Sequence, residues 1–292
     1  MSTARYSPRT APSLLAGAPN QDIPRTLFLY PQTSLPTDRL LIAAVASLLA
    51  GIMNSIAGGG TLLTFPVLVA AGLSPLIANA TSTVALLPGA LSSMLGYRDE
   101  LAGARRWTLA ITLPSSLGGL VGAWLLLHTP GKTFDRVVPW LVLGATSLFI
   151  LQRPLLRWAG RHPVTHDDDA ARTQAGPAPV LLVWQAMIGI YGGYFGAAVG
   201  ILMLAALGFL GFTNLHRMNG LKNWGGFCMN LVATVIFSIT GLVAWPLALM
   251  MAVGAVVGGY IGSRGAQRIP QQYVRTTVAV IGLGSGIWML LR

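Results

Sequence analysis

Long apolar runs separated by short polar segments dominate the chain from residue 40 onward. The runs cover roughly 40–72, 75–96, 107–127, 137–151, 179–212, 215–240, 246–263 and 274–291. A helix that crosses the hydrocarbon core of a bilayer needs about 20 residues, a length that most of these runs supply. The pattern therefore predicts an all-α polytopic membrane protein.

Two of the runs are too long for one crossing, and glycines lie near their middles. A straight helix over 40–72 or 179–212 would measure about 50 Å, against a hydrocarbon core of about 30 Å. Gly58-Gly59-Gly60 lies in the first of these runs, and a glycine-rich stretch from Gly192 to Gly200 lies in the second. We interpret each run as a glycine-broken helix or a re-entrant hairpin.

The two groups of runs resemble each other at an offset near 139 residues. Gly51-Ile-Met-Asn54 matches Gly189-Ile-Tyr-Gly192, and Gly118-Gly119-Leu-Val-Gly122 matches Gly258-Gly259-Tyr-Ile-Gly262, in the same order. Such collinear matches indicate a duplication, which is common among secondary transporters. We predict two homologous halves, each with one broken element and three further transmembrane helices.

The basic residues between the runs bear on the orientation of the halves. The loop after the second run carries Arg98, Arg105 and Arg106, while its counterpart, 240–245, carries no charge. The next loop is more basic in the second half, with Arg264, Arg268 and Arg275. Because basic loops stay in the cytoplasm, this switch predicts inverted-topology repeats. The alternative is eight plain crossings.

The remaining segments divide the chain. Residues 1–38 are rich in Ser, Thr, Pro and Arg, which is typical of a disordered tail. Residues 153–178 contain three consecutive aspartates and are interpreted as a polar cytoplasmic linker. The first transmembrane repeat then spans 39–152 and the second spans 179–292.

The composition excludes several classes of protein. Hydrophobic residues make up 53% of the chain and charged residues 9%, whereas soluble domains are about 25% charged. The net charge of +11 is spread over short loops, so we expect no nucleic-acid partner. One cysteine and four histidines exclude a cysteine–histidine metal centre, and we expect no cofactor and no catalytic residues.

None of the eight carboxylates falls within an apolar run, which argues against a cation path. The positive group deepest in a run is Lys222, flanked by Asn219 and Asn223. A buried positive charge favours an anionic guest. The alternative is that Lys222 extends its charge to the membrane surface.

Polar and glycine positions in the first half offer hydrogen-bond donors. Asn54 and Thr61 flank the three glycines, and Asn79, Thr81 and Ser82 begin the second run. A broken helix exposes backbone N–H groups that bind anions. The alternatives are masking of hydroxyls by backbone carbonyls and, for glycines such as Gly118, Gly122, Gly258 and Gly262, close helix packing.

The motifs Gly51-Ile-Met-Asn54-Ser-Ile-Ala-Gly58-Gly-Gly60-Thr and Ala78-Asn79-Ala-Thr81-Ser82 resemble those of the TauE/SafE sulfite exporter family. The second half is similar through Gly189-Ile-Tyr-Gly-Gly-Tyr-Phe-Gly196 and His216-Arg-Met-Asn-Gly-Leu-Lys-Asn223. This resemblance implies a multi-pass carrier in the bacterial inner membrane that moves sulfite, sulfonates or related anions.

We therefore expect export of a small anion by alternating access at a midplane site between the halves. The predicted substrate-binding residues are Asn54, Gly58, Gly59, Gly60, Thr61, Asn79, Thr81, Ser82, Gly192, Gly196, Asn219, Lys222 and Asn223. The expected partners are the anion and the lipid bilayer, with a homo-oligomer left open. The alternatives are a structural or assembly subunit without substrate and, less favoured, a membrane-embedded enzyme.

Overall fold

The apolar runs fold as helices whose ends coincide with glycine, proline and polar positions. The computed structural model describes residues 37–159, 177, 179–210, 212, 214–265 and 271–291, and every regular element within them is α-helical. The first half contains α1 (Thr37–Ile56), α2 (Thr61–Ala70), α3 (Pro75–Gly96), α4 (Arg98–Gly103), α5 (Arg105–His128) and α6 (Gly131–Ala159). The second half contains α7 (Pro179–Tyr194), α8 (Val199–Phe209), α9 (Leu215–Ile239), α10 (Trp245–Gly265) and α11 (Gln271–Leu291).

Five stretches of these helices are long and apolar enough to cross a membrane. They are Arg39–Ile56, Pro75–Gly96, Arg105–His128, Gly131–Leu151 and Trp245–Gly265. The predicted class, an all-α polytopic membrane protein, is confirmed by these spans.

The domain prediction differs from the structure at one boundary. Helix α6 continues to Ala159, seven residues into the predicted linker that began at 153. Arg153 and Arg157 therefore belong to a helix rather than to a loop. Residues 1–36 of the predicted tail, and most of the predicted linker, lie outside the described residues.

Both over-long runs are interrupted where glycines permit a left-handed backbone. Gly58 and Gly59 adopt φ of +78° and +100° between α1 and α2, and Gly196 adopts +74° between α7 and α8. The guanidinium Nη1 of Arg39, at the start of α1, donates to the carbonyl oxygen of Ala71, which follows α2, at 3.1 Å. Helix α2 therefore runs back toward the end of the bundle at which α1 began.

The helices of one half pack mainly on those of the other. Helix α1 lies against α10, and α5 lies against α7. At the sequence offset α1 corresponds to α7 and α5 to α10, so these two contacts correspond to each other. Helices α3 and α9 contact each other, as do α6 and α11. A twofold relation between the halves would produce contacts that correspond in this way. The inverted orientation of the halves stays a prediction.

Glycine faces allow the closest of these helix contacts. A Cβ atom added at Gly118 would lie 2.5 Å from the carbonyl oxygen of Ala186, and one at Gly122 would lie 2.1 Å from that of Ile190, both on α7. The matching positions on α10, Gly258 and Gly262, have the same relation to α1. The packing interpretation of these four glycines agrees with this geometry, because small residues let membrane helices approach.

We predict that Gly258→Ala destabilises the protein. The added Cβ would lie 2.0 Å from the carbonyl oxygen of Leu48, so α10 and α1 must separate. We expect the free energy of unfolding to fall by about 2 kcal/mol or more, measured as a lower Tm in detergent. The control is Gly144→Ala, where a Cβ meets no atom within 4 Å; an unchanged Tm for Gly258→Ala would contradict the packing.

Inverted halves make a further prediction about loop accessibility. In a Cys228→Ser background, Gly241→Cys should react with a membrane-impermeant thiol reagent outside the cell, and Gly265→Cys should react only after permeabilisation. Eight plain crossings predict the reverse for both positions. Gly131→Cys is the control, since both topologies place it outside.

Candidate functional site

The break in the first half touches the second half. A Cβ atom on Gly58 would lie 2.6 Å from the Cα atom of Gly200, which belongs to the first turn of α8. The reverse substitution at Gly200 would place a Cβ 2.8 Å from the Cα of Gly58. The two backbones are therefore in direct contact, and only residues without a side chain permit that approach.

Lys222 lies beside this contact, about two turns into α9. Its side chain is buried, with 2% of its surface exposed. The ammonium Nζ donates to the carbonyl oxygens of Asn54 at 2.9 Å and Ser55 at 3.1 Å, in the last turn of α1. The break leaves those carbonyls without intrahelical partners, and the helix dipole makes that end negative. Lys222 therefore caps α1 from the opposite half.

The lysine charge has no carboxylate partner among the described side chains. The ion pairs between them join Arg98 to Asp99 and Arg217 to Glu100. A buried charge is costly unless it is compensated, and main-chain carbonyls compensate it only in part. An ammonium has three donors, of which two are used here. One donor of the ammonium therefore has no partner among the described residues.

A small cavity of about 20 Å³ adjoins Lys222. Polar lining comes from Asn54, Lys222, Asn223 and Asn230, and the remaining wall includes Gly200 and Met203. This volume is close to that of one water molecule. In this conformation the site therefore has room for about one water molecule.

Asn223 and two serines connect three helices next to the cavity. The amide Nδ2 of Asn223 donates to the Oγ of Ser93 at 2.9 Å, and the hydroxyl of Ser93 donates to the Oγ of Ser55 at 2.7 Å. These bonds join α9, α3 and α1. Ser93 was absent from the predicted site, although its spacing of 14 residues from Asn79 places it on the same face of α3.

The polar start of α3 lies elsewhere. The amide Nδ2 of Asn79 donates to the carbonyl oxygen of Tyr194 at 3.0 Å, at the end of α7. The backbone N–H of Ala244 donates to the hydroxyl of Thr81 at 3.0 Å, and the Ser82 hydroxyl is bonded to that of Thr64. None of the predicted residues on α3 lines the Lys222 cavity.

The structure therefore brings together only part of the predicted set. Asn54, Lys222 and Asn223 line one cavity, and Gly58 contacts its glycine wall. At the other predicted glycines an added Cβ atom would meet a neighbouring group. That group is the Met53 side chain at Gly59, the Ala50 backbone at Gly60, the Met229 sulfur at Gly192 and the Gly192 carbonyl at Gly196. Thr61 begins α2, and Asn219 is buried with its amide oxygen unbonded within the described residues.

The spans, the two broken helices and the buried Lys222 are features typical of a polytopic membrane transport protein. The sequence model of the family described as "Sulfite exporter TauE/SafE" matches residues 43–289. The chain belongs to this family, and the resemblance noted from its motifs is confirmed.

Curated relatives agree with this assignment. "Probable membrane transporter protein ORF9" of Sinorhizobium sp is 28% identical over 251 residues, covering 84% of this chain and 90% of the relative. "Probable membrane transporter protein YfcA" of Escherichia coli strain K12 is 29% identical over 236 residues, covering 80% and 83%. No solved structure matches the chain. It is a multi-pass membrane transporter, and its relatives imply the bacterial inner membrane.

The contact between Gly58 and Gly200 predicts the effect of Gly58→Ala. The substitution adds a left-handed strain of about 1–2 kcal/mol and also a backbone collision. The matched control is Gly72→Ala, which has φ of +103° but no atom within 4 Å of the new Cβ. We expect Gly58→Ala to lower the Tm in detergent clearly more than Gly72→Ala; equal decreases would show that the close approach is unimportant.

Proposed function

We propose that this protein exports a small anion, sulfite or a sulfonate, by alternating access at the Lys222 cavity. One observation carries the proposal: Lys222 lies buried inside a membrane protein with carbonyl partners, and no carboxylate among the described side chains pairs with it. Intramembrane charges are rare and mark substrate paths in membrane proteins. A positive charge in such a cavity attracts anions and repels cations.

Asn54, Lys222 and Asn223 would hold the anion, with Gly58 and Gly200 giving it access to the backbone. Lys222 supplies a charge-assisted hydrogen bond, which is roughly twice as strong as a neutral one. The amides of Asn54 and Asn223 supply further donors. This set is narrower than the one expected from the sequence, because Asn79, Thr81 and Ser82 line no part of the cavity.

The small volume of the cavity supports a transport mechanism in which the protein has two conformations. Sulfite has four heavy atoms, so it exceeds a space of about one water molecule. Binding must therefore widen the contact between the halves. The anion would compete with the carbonyls of Asn54 and Ser55 for the ammonium, and release of that cap would free α1 of the first half from α9 of the second half.

We predict that Lys222→Met lowers anion transport at least tenfold. Methionine keeps a long stem against Gly200 but removes the charge, and loss of a charge-assisted bond of about 1.5–3 kcal/mol corresponds to at least a tenfold loss. Sulfite flux into proteoliposomes measures the effect. The chain has two lysines, so Lys132→Met, at an exposed position, is the matched control.

The transport result needs a folding check and a binding check. The Tm of each variant in detergent shows whether it remains folded. Sulfite should raise the Tm of the unaltered protein and of Lys132→Met but not that of Lys222→Met. A folded Lys222→Met that transports sulfite at the normal rate would remove Lys222 from the site.

A further inference from the structure

One wall of the Lys222 cavity is a flexible apolar side chain. Met203 of α8 lines the cavity and is buried, and it is the one long, flexible apolar side chain among the residues that line it. Methionine has three rotatable side-chain bonds and no branch, so it adapts its shape at little cost. Because the present volume is too small for a polyatomic anion, some part of the lining must give way, and Met203 is the apolar lining side chain with the most rotatable bonds.

A buried polar pair lies directly behind Met203. The amide Nε2 of Gln185, on α7, donates to the Oγ of Ser115, on α5, at 2.9 Å. The same amide nitrogen lies 3.8 Å from the Sδ of Met203. Gln185 is 4% exposed and Ser115 is fully buried. Gln185 is also the sole amide or charged residue in the apolar run 179–212, a signal that the predicted site omitted.

Gly225 brings this pair to the same helix face as Lys222. A Cβ atom on Gly225 would lie 2.5 Å from the Cε of Met203, 3.0 Å from the Nε2 of Gln185 and 3.3 Å from the Oγ of Ser115. Gly225 is three residues after Lys222, which is about 4.5 Å along α9. The next residue, Gly226, lines the cavity. Met203 therefore contacts both the cavity and the Gln185–Ser115 pair.

We propose that Met203 is the movable wall of the cavity and that Gln185 and Ser115 form its far polar end, which selects the substrate. This inference rests on the proposed function. An amide and a hydroxyl each offer a donor and an acceptor. The site then prefers an anion that carries a second hydrogen-bonding group about one helical turn from its charged group. A hydroxyl or amine two carbons from a sulfonate has a separation of this order.

A pair of substrates that differ by one hydroxyl tests the inference. Uptake of ethanesulfonate and of 2-hydroxyethanesulfonate is measured in proteoliposomes for the unaltered protein and for Gln185→Leu. We expect the unaltered protein to prefer the hydroxylated anion about fivefold to tenfold, and Gln185→Leu to reduce the ratio of the two uptake rates toward one. Ser115 keeps its bond to the Ile111 carbonyl in this variant, so its hydroxyl stays satisfied.

Met203→Ala tests the movable wall separately. The shorter side chain should raise uptake of both sulfonates relative to sulfite, since the wall no longer has to move. Met187→Ala is the matched control, because Met187 is 55% exposed on α7. An unchanged ratio of sulfonate to sulfite uptake in Met203→Ala would overturn this part.

The outcomes separate this inference from the proposed function. If the unaltered protein transports both sulfonates equally, or if Gln185→Leu keeps the preference, the selective role of Gln185 is wrong although the carrier role stands. If neither sulfite nor either sulfonate is transported, the proposed function itself fails. Equal uptake of the two sulfonates by the unaltered protein would overturn the inference even if a variant does not fold.

Discussion

The bond between the Lys222 ammonium and the last carbonyls of α1 is the interaction on which the site depends. A broken helix inside a membrane leaves carbonyl groups without water or intrahelical partners. A lysine at the same depth has a charge that must be compensated. The two meet at 2.9 Å and 3.1 Å, so each reduces the cost of the other. The carbonyl groups are neutral, so a protonated Lys222 leaves a net positive charge at this point, on which the proposal of an anion site rests.

Glycines make this arrangement sterically feasible. The α1–α2 break needs φ values near +78° and +100°, which side chains resist. Gly200 lets both the Gly58 backbone and the Lys222 side chain approach. A Cβ atom at Gly200 would lie 2.8 Å from the Cα of Gly58 and 3.1 Å from the Cδ of Lys222. The glycine-lined contacts of α1 with α10 and of α5 with α7 hold the halves around this point.

The ends of the two broken helices, α1 and α7, are capped by different side-chain groups. In the first half the end of α1 is capped by the charged Lys222 of α9. In the second half the end of α7 is capped by the neutral amide of Asn79 on α3. At the repeat offset, the counterpart of Lys222 is Thr83, whose hydroxyl bonds back to the Asn79 carbonyl. Of these two matched positions, only the one at the first break therefore carries an ionisable side chain.

The sequence predicted the order of the apolar runs, the glycine breaks and the position of Lys222 inside an apolar run. Hydropathy, helix length and backbone freedom are local properties of the chain, so they can be read without the fold. The partners of the polar side chains were not. Asn79 bonds to a residue 115 positions away and Lys222 to one 168 positions away. Periodicity places Asn79 and Ser93 on one face of α3, yet only packing against different helices sends Asn79 to the end of α7 and Ser93 to Asn223.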